Sequence, residues 1–118
     1  MKLIVDVQVI DLDRAIQFYT NTLRLTCRVH ADEWAALVVG DAEIHLYKDG
    51  GVTNCVEFYV DDIEVRAAEL ARMGVEFVSG MDKPSAEKFE NGITYFPWGK
   101  LAYFKDSEGN ELALVQDF

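Results

Sequence analysis

Cysteine and proline are both scarce in this chain of 118 residues, with two of each. Two thiols, Cys27 and Cys55, make no disulfide framework, which excludes the stapled secreted class and suits a reducing cytoplasm. Long apolar runs are also missing, and none approaches the ~20 residues that a membrane helix needs. The opening segment MKLIVDVQV is broken by Asp6 and carries no small-residue cleavage site, so it does not read as a secretion signal. Positive charge is sparse, with 11 Lys and Arg against 21 Asp and Glu and a net charge of −10. Nucleic-acid backbones and anionic membranes are therefore poor partners. A cationic small molecule is electrostatically favoured, although acidity alone also serves solubility.

What the chain does have is a core and a repeat. Half of its residues are hydrophobic and 27% are charged, as expected of one globular domain spanning 1–118. VDVQVIDLDRAIQFY at 5–19 returns as VEFYVDDIEVRAAEL at 56–70. Val5, Val7 and Val9 match Val56, Phe58 and Val60, and Asp11 matches Asp62. Each copy reads as a strand with apolar residues at period two, then an Asp suited to cap a helix, then an apolar stripe at helical spacing. Two copies cannot build a solenoid, so the unit is expected to pair with itself around one core.

The first module, 1–49, is expected to hold a strand near 3–10, a helix over 12–22, and strands near 25–31, 34–39 and 42–48, with a tight turn at Gly40-Asp41. Asp49-Gly50-Gly51 is the linker candidate. The second module, 54–118, is expected to hold a strand at 54–60 and a helix at 62–72 ended by Gly74. A strand at 75–79 and an irregular stretch from Gly80 to Gly99 with one short strand around 93–96 follow. Strands 100–105 and 110–116 close the module across DSEGN. The fold class is α+β: two paired βαβββ modules forming curved mixed sheets, helices on the outer face and a concave groove on the other.

Three segments carry a resemblance to a known family. IDLDRAIQFYTNTLRL is similar to a strand–Asp–helix–"FY…LGL" run, VDDIEVRAAELARMGVEF to its second copy, and PWGKLAYFKDSEGNELALVQ to "WG…F.DP.GN..EL". In this order they resemble the vicinal oxygen chelate superfamily of glyoxalases, bleomycin-resistance proteins and extradiol dioxygenases. Arg24 stands where glycine is usual in "LGL", and Ser107 replaces the proline of "DP.GN". The resemblance implies metal-ligand positions at Ile4, Cys55, His45 and Ala113. Ile4 and Ala113 offer no lone pair, Cys55 suits softer metals than this superfamily's oxygen and imidazole sites do, and only His45 fits. No resident metal or cofactor is therefore expected.

Strand parity places Asp6, Gln8, Cys55, Glu57, Tyr59, Glu43, His45, Tyr47 and Glu111 on the concave face. Trp34 and Trp98 are the stacking candidates, the latter at a cavity rim in FPWG, with core packing as the alternative for both. His30 reads as a surface residue. The chain looks most like the bleomycin-resistance branch, which implies a homodimer and a metal-free protein sequestering a cationic or aromatic small molecule. The ligand-binding set is then Asp6, Gln8, Trp34, His45, Tyr47, Glu57, Tyr59, Trp98 and Glu111, with no catalytic residue assigned. The enzymatic alternative is a metal-dependent lyase, isomerase or dioxygenase on a displaced site of Asp6, His45, Glu57 and Glu111. A further enzymatic option is acid–base catalysis by Glu57 or Glu111. Nucleophilic catalysis has little support, since no basic residue in its own strand lowers the pKa of Cys55.

Overall fold

The opening alternation of apolar and polar residues makes strand β1 (Ile4–Gln8), whose inward side buries Val7 and, just beyond the strand, Val9. The structure is a computed structural model and describes residues 3–48 and 56–118. Asp11 ends the extended run and caps helix α1 (Leu12–Gln17), its carboxylate accepting from the Arg14 amide at 3.1 Å. The expected helical extent 12–22 is reached, but its last stretch, Phe18–Thr22, is a π-helical turn. That wider turn leaves Tyr19 fully buried. Strands β2 (Thr26–His30), β3 (Trp34–Val39) and β4 (Ala42–Tyr47) complete a four-stranded sheet in the order β1-β4-β3-β2, with β1 parallel to β4. Gly40 takes φ +58° in the β3–β4 turn, a conformation that glycine adopts without strain.

The second copy follows the same plan. Strand β5 (Val56–Tyr59) leads to helix α2 (Ile63–Arg72), capped by Asp62, whose carboxylate accepts from the Val65 amide. Gly74 at φ +94° stops the helix, its amide bonding to the Ala71 carbonyl and that of Val75 to the Leu70 carbonyl. This is the Schellman arrangement, which satisfies two otherwise orphaned carbonyls. Strands β6 (Lys88–Glu90), β7 (Ile93–Phe96), β8 (Gly99–Lys105) and β9 (Glu111–Asp117) form a five-stranded sheet ordered β5-β9-β8-β7-β6, with β5 parallel to β9. The fold is thus α+β, with two mixed sheets and two short helices.

Two expectations are corrected here. The segment 75–79 is not a strand: Val78 makes a single bridge to Tyr103. The stretch from Gly80 to Gly99 contains the additional strand β6, joined to β7 by Asn91 and Gly92, both at positive φ. Asn-Gly in that geometry is the favoured two-residue hairpin turn, which explains why pairing begins there and not upstream. The linker candidate Asp49-Gly50-Gly51 and residues 54 and 55 of the expected strand lie outside the described residues.

The chain divides into two compact units, Met1–Asn54 with Asp106–Asn110, and Cys55–Lys105 with Glu111–Phe118. The DSEGN turn, expected within the second module, thus groups with the first unit. Tyr19 donates to Asp106 Oδ2 at 2.9 Å, and the Asn110 side chain donates to the Gln8 carbonyl at 2.8 Å. Burial, reinforced by the Asp106 carboxylate, pushes the Tyr19 phenol far above its ordinary pKa. In the second unit, Gln116 accepts from the Ile63 amide and Lys100 bonds Glu64, tying α2 to the sheet.

Candidate functional site

The open side of the first unit's sheet, opposite α1, carries one connected polar and aromatic cluster. Register sets it up: His45 pairs with Asp6 on β1 and Ala36 on β3, and Tyr47 pairs with Gln8 and Trp34. Glu43, His45 and Tyr47 therefore share a face with Trp34. Glu43 is 1% exposed and accepts from Arg28 Nε at 2.7 Å and Nη2 at 2.9 Å. A register shift in β2 between Cys27 and Val29 leaves Arg28 at the irregularity, over that face, and returns His30 to the helix side. There His30 meets Asp13 at 3.1 Å, an exposed contact consistent with a surface role.

His45 Nε2 lies 2.9 Å from Glu43 Oε1, and its Nδ1 faces Tyr47 Oη at 3.5 Å. An ionised carboxylate can only accept, so Glu43 orients the ring with Nε2 as donor. The Trp34 ring stacks on Tyr47 at 5.9 Å with an interplanar angle of 14°, and lies 5.2 Å from His45. Trp34, His45 and Tyr47 form a platform of three rings. The cluster needed Arg28, which sequence reasoning missed. The signal was Glu43 itself: an acid inside a strand of apolar residues needs a cation or several hydrogen-bond donors.

In the second unit the face opposite α2 is apolar at its centre, where Phe96, Leu101, Tyr103 and Ala113 form one buried cluster. Glu57 and Tyr59 are exposed on the edge strand β5. Glu111 is engaged by Lys83 at 3.1 Å, a residue that sequence reasoning also passed over. Trp98, between β7 and β8, stacks on Phe96 at 5.2 Å and remains 51% exposed. Asp6 and Gln8 are exposed on β1. The structure thus joins Trp34, His45 and Tyr47 in direct contact, with Asp6 and Gln8 alongside by register, and sets Glu57, Tyr59, Trp98 and Glu111 on the second sheet.

These residues do not fit a resident metal. Ile4 and Ala113 have no donor atom, Cys55 lies outside the described residues, and both nitrogens of His45 face partners within the cluster. Among the described residues, no three His, Cys, Asp or Glu side chains are grouped to hold an ion. Within each unit the side chains named for a displaced site have nearby partners: His45 faces Glu43, and Glu111 faces Lys83.

No curated protein matches the chain. Among solved structures, TnmS3, an antibiotic binding protein from Streptomyces sp. CB03234, is 20% identical, with a TM-score of 0.75, over 100% of this chain and 96% of that one. Lactoylglutathione lyase from Agrobacterium tumefaciens is 16% identical, with a TM-score of 0.73, over 96% and 90% of the two chains. An integron cassette protein from V. Cholerae is 20% identical, with a TM-score of 0.67, over 98% and 93%. At these identities the likeness speaks for the fold. The sequence profile of one family matches residues 3–114, nearly the whole chain, and the protein belongs to the Glyoxalase/Bleomycin resistance protein/Dioxygenase superfamily.

Proposed function

We propose that the protein is a small-molecule-binding protein that holds a planar aromatic or cationic ligand without changing it and without a resident metal. The observation that carries this reading is the commitment of the first unit's polar groups to one another. Glu43 is tied to Arg28, and His45 to Glu43 and Tyr47. What the cluster offers a ligand is ring surface, from Trp34, His45 and Tyr47. Flat rings stack on such surfaces in offset geometry, and cations are drawn to their faces. On the second sheet Trp98, Tyr59 and Glu57 are exposed and offer aromatic and acidic surface of their own. An antibiotic binding protein among the solved structures of this fold supports binding as the role. We infer a homodimer as the working form, two-fold dimers being the commonest closed assemblies among soluble oligomers, and the two scattered cysteines suit a cytoplasmic setting.

Titration with a planar aromatic probe, read by tryptophan fluorescence, tests the reading. Saturable quenching in the wild type, with calorimetric affinity for the same probe lowered in Trp34→Ala, supports it. A protein that turns over candidate substrates, or whose fluorescence no aromatic probe alters, refutes it. Light scattering tests the dimer, and a clean monomer of 13.4 kDa removes it.

A further inference from the structure

The segment joining α2 to β6 lies across the open face of the second unit's sheet. The Gly80 amide donates to Thr94 Oγ1 at 2.9 Å, and Ala86 packs against the cluster of Phe96, Leu101, Tyr103 and Ala113. Gly80 sits so close that a Cβ there would collide with the Tyr103 ring. Between these two attachments, Lys83 places its ammonium 3.1 Å from Glu111 Oε1 and 5.1 Å from the centre of the Tyr103 ring. A carboxylate beside an aromatic face is the pairing that recognises an organic cation. Here the cation belongs to the chain itself.

We propose that Glu111 and the Tyr103 face form a binding site for an organic ammonium ion carrying an apolar body, and that Lys83 fills this site in the free protein as a displaceable internal ligand. The inference deepens the reading above by naming the charged part of the ligand and the contact it must replace. Three features favour exchange. The Lys83 and Glu111 side chains are 35% and 33% exposed, so their ion pair is partly hydrated and weak. Ser85 holds φ +69°, a left-handed conformation that costs a residue with a Cβ. Beneath the strap lies apolar surface, which an ammonium ion with a hydrocarbon body covers and water does not. Because the closed strap competes with ligand, apparent affinity is the intrinsic affinity multiplied by the fraction of molecules in which it is open.

Benzylammonium and its neutral analogue benzyl alcohol, titrated by calorimetry into wild type, Lys83→Ala and Glu111→Gln, test the proposal. Lys83→Ala is expected to bind benzylammonium about 10-fold tighter than wild type, with benzyl alcohol remaining the weaker ligand of the two. Glu111→Gln is expected to abolish the preference for the cation. Saturating benzylammonium is expected to speed amide exchange at Gly80 and Ala86 in wild type, as the strap is displaced. Equal or weaker benzylammonium binding by folded Lys83→Ala, or strap amides that exchange no faster with ligand, overturns the proposal. If Lys83→Ala fails to fold, Lys83→Gln keeps most of the side chain's length without its charge, and the same comparison decides. Failure of the first unit's platform is seen separately, as a neutral planar probe whose binding ignores Trp34→Ala.

Discussion

Arg28 grips Glu43 at two points, Nε at 2.7 Å and Nη2 at 2.9 Å, across three strands of the first sheet. The hydrogen bonds hold the guanidinium pKa above its ordinary value. A carboxylate at 1% exposure cannot rely on water, so this fork is what allows an acid to sit beneath the ring platform. It also explains why Glu43, although acidic and on the open face, is not available to a cationic ligand.

Removing Arg28 therefore strips a buried charge of its strongest donor. Arg28→Ala is expected to lower the thermal midpoint, and Glu43→Gln in that background to recover part of the loss, since a neutral amide is cheaper to bury. The four melting curves of the double-mutant cycle check this. If the two changes are additive, the fork carries no coupling.

Tyr19 and Asp106 form the second buried contact of note, at 2.9 Å. Tyr19→Phe leaves the ring in place and removes one hydrogen bond to a charged group, for an expected loss of about 2 kcal/mol. The urea midpoint should fall with the slope unchanged. Its pH dependence has a definite sign. The Tyr19 pKa is raised in the folded state, so the contribution is complete below the ordinary value of 10.0 and declines as pH rises above it. The gap between wild type and Tyr19→Phe should accordingly narrow in alkali.

The Glu64–Lys100 pair, at 2.6 Å, titrates at both ends. Its hydrogen bond lowers the Glu64 pKa and raises that of Lys100. The Glu64 contribution is present above 4.5, the ordinary value, and is lost as pH falls through the depressed folded value. That of Lys100 is complete below 10.5 and is lost as pH rises through the elevated one. The stability difference between wild type and Glu64→Gln should thus be widest on the plateau between those limits and shrink on both sides, as a series of urea melts would show.

Most of the fold could be read from period and punctuation. The capping roles of Asp11 and Asp62 and the stop at Gly74 all follow from local pattern. The errors lie where the pattern is shared between states. VEFVS at 75–79 alternates like a strand, yet makes only one bridge, Val78 to Tyr103. Strand β6 is exposed throughout and shows no apolar alternation, although its Asn91-Gly92 turn was there to be seen. At the site, the open-face residues followed from parity, whereas their counter-charges did not. Arg28 reaches Glu43 through a strand irregularity and Lys83 reaches Glu111 from an irregular segment, and neither placement has a periodic signature.

Ser107 stands where the related motif has proline, and its buried hydroxyl has no hydrogen-bond partner among the described residues. A hydroxyl buried without a protein partner gains no protein hydrogen bond in return for the hydration it gives up. Ser107→Ala is expected to stabilise the protein by about 1 kcal/mol, read as a rise in urea midpoint. A loss of stability would mean that the hydroxyl is satisfied in solution.

Trp98 separates binding from stability. Its ring stacks on Phe96 but is 51% exposed, at the turn where Phe96 pairs with Gly99. Phe96 is 3% exposed and belongs to the core, so the core is sealed by Phe96 while Trp98 lies outside it. Truncating a half-exposed ring gives up contact on one face only, and Trp98→Ala is expected to cost about 1 kcal/mol of stability or less, far below the 3–5 kcal/mol typical of a buried tryptophan. The free face is what a ligand would use. Stacking and cation–π attraction there predict a loss of about 1–2 kcal/mol in affinity for a cationic aromatic probe, and a smaller loss for a neutral one. Melting curves and probe titrations on the same variant decide the matter: a large loss of stability with affinity unchanged would make Trp98 a packing residue and remove it from the site.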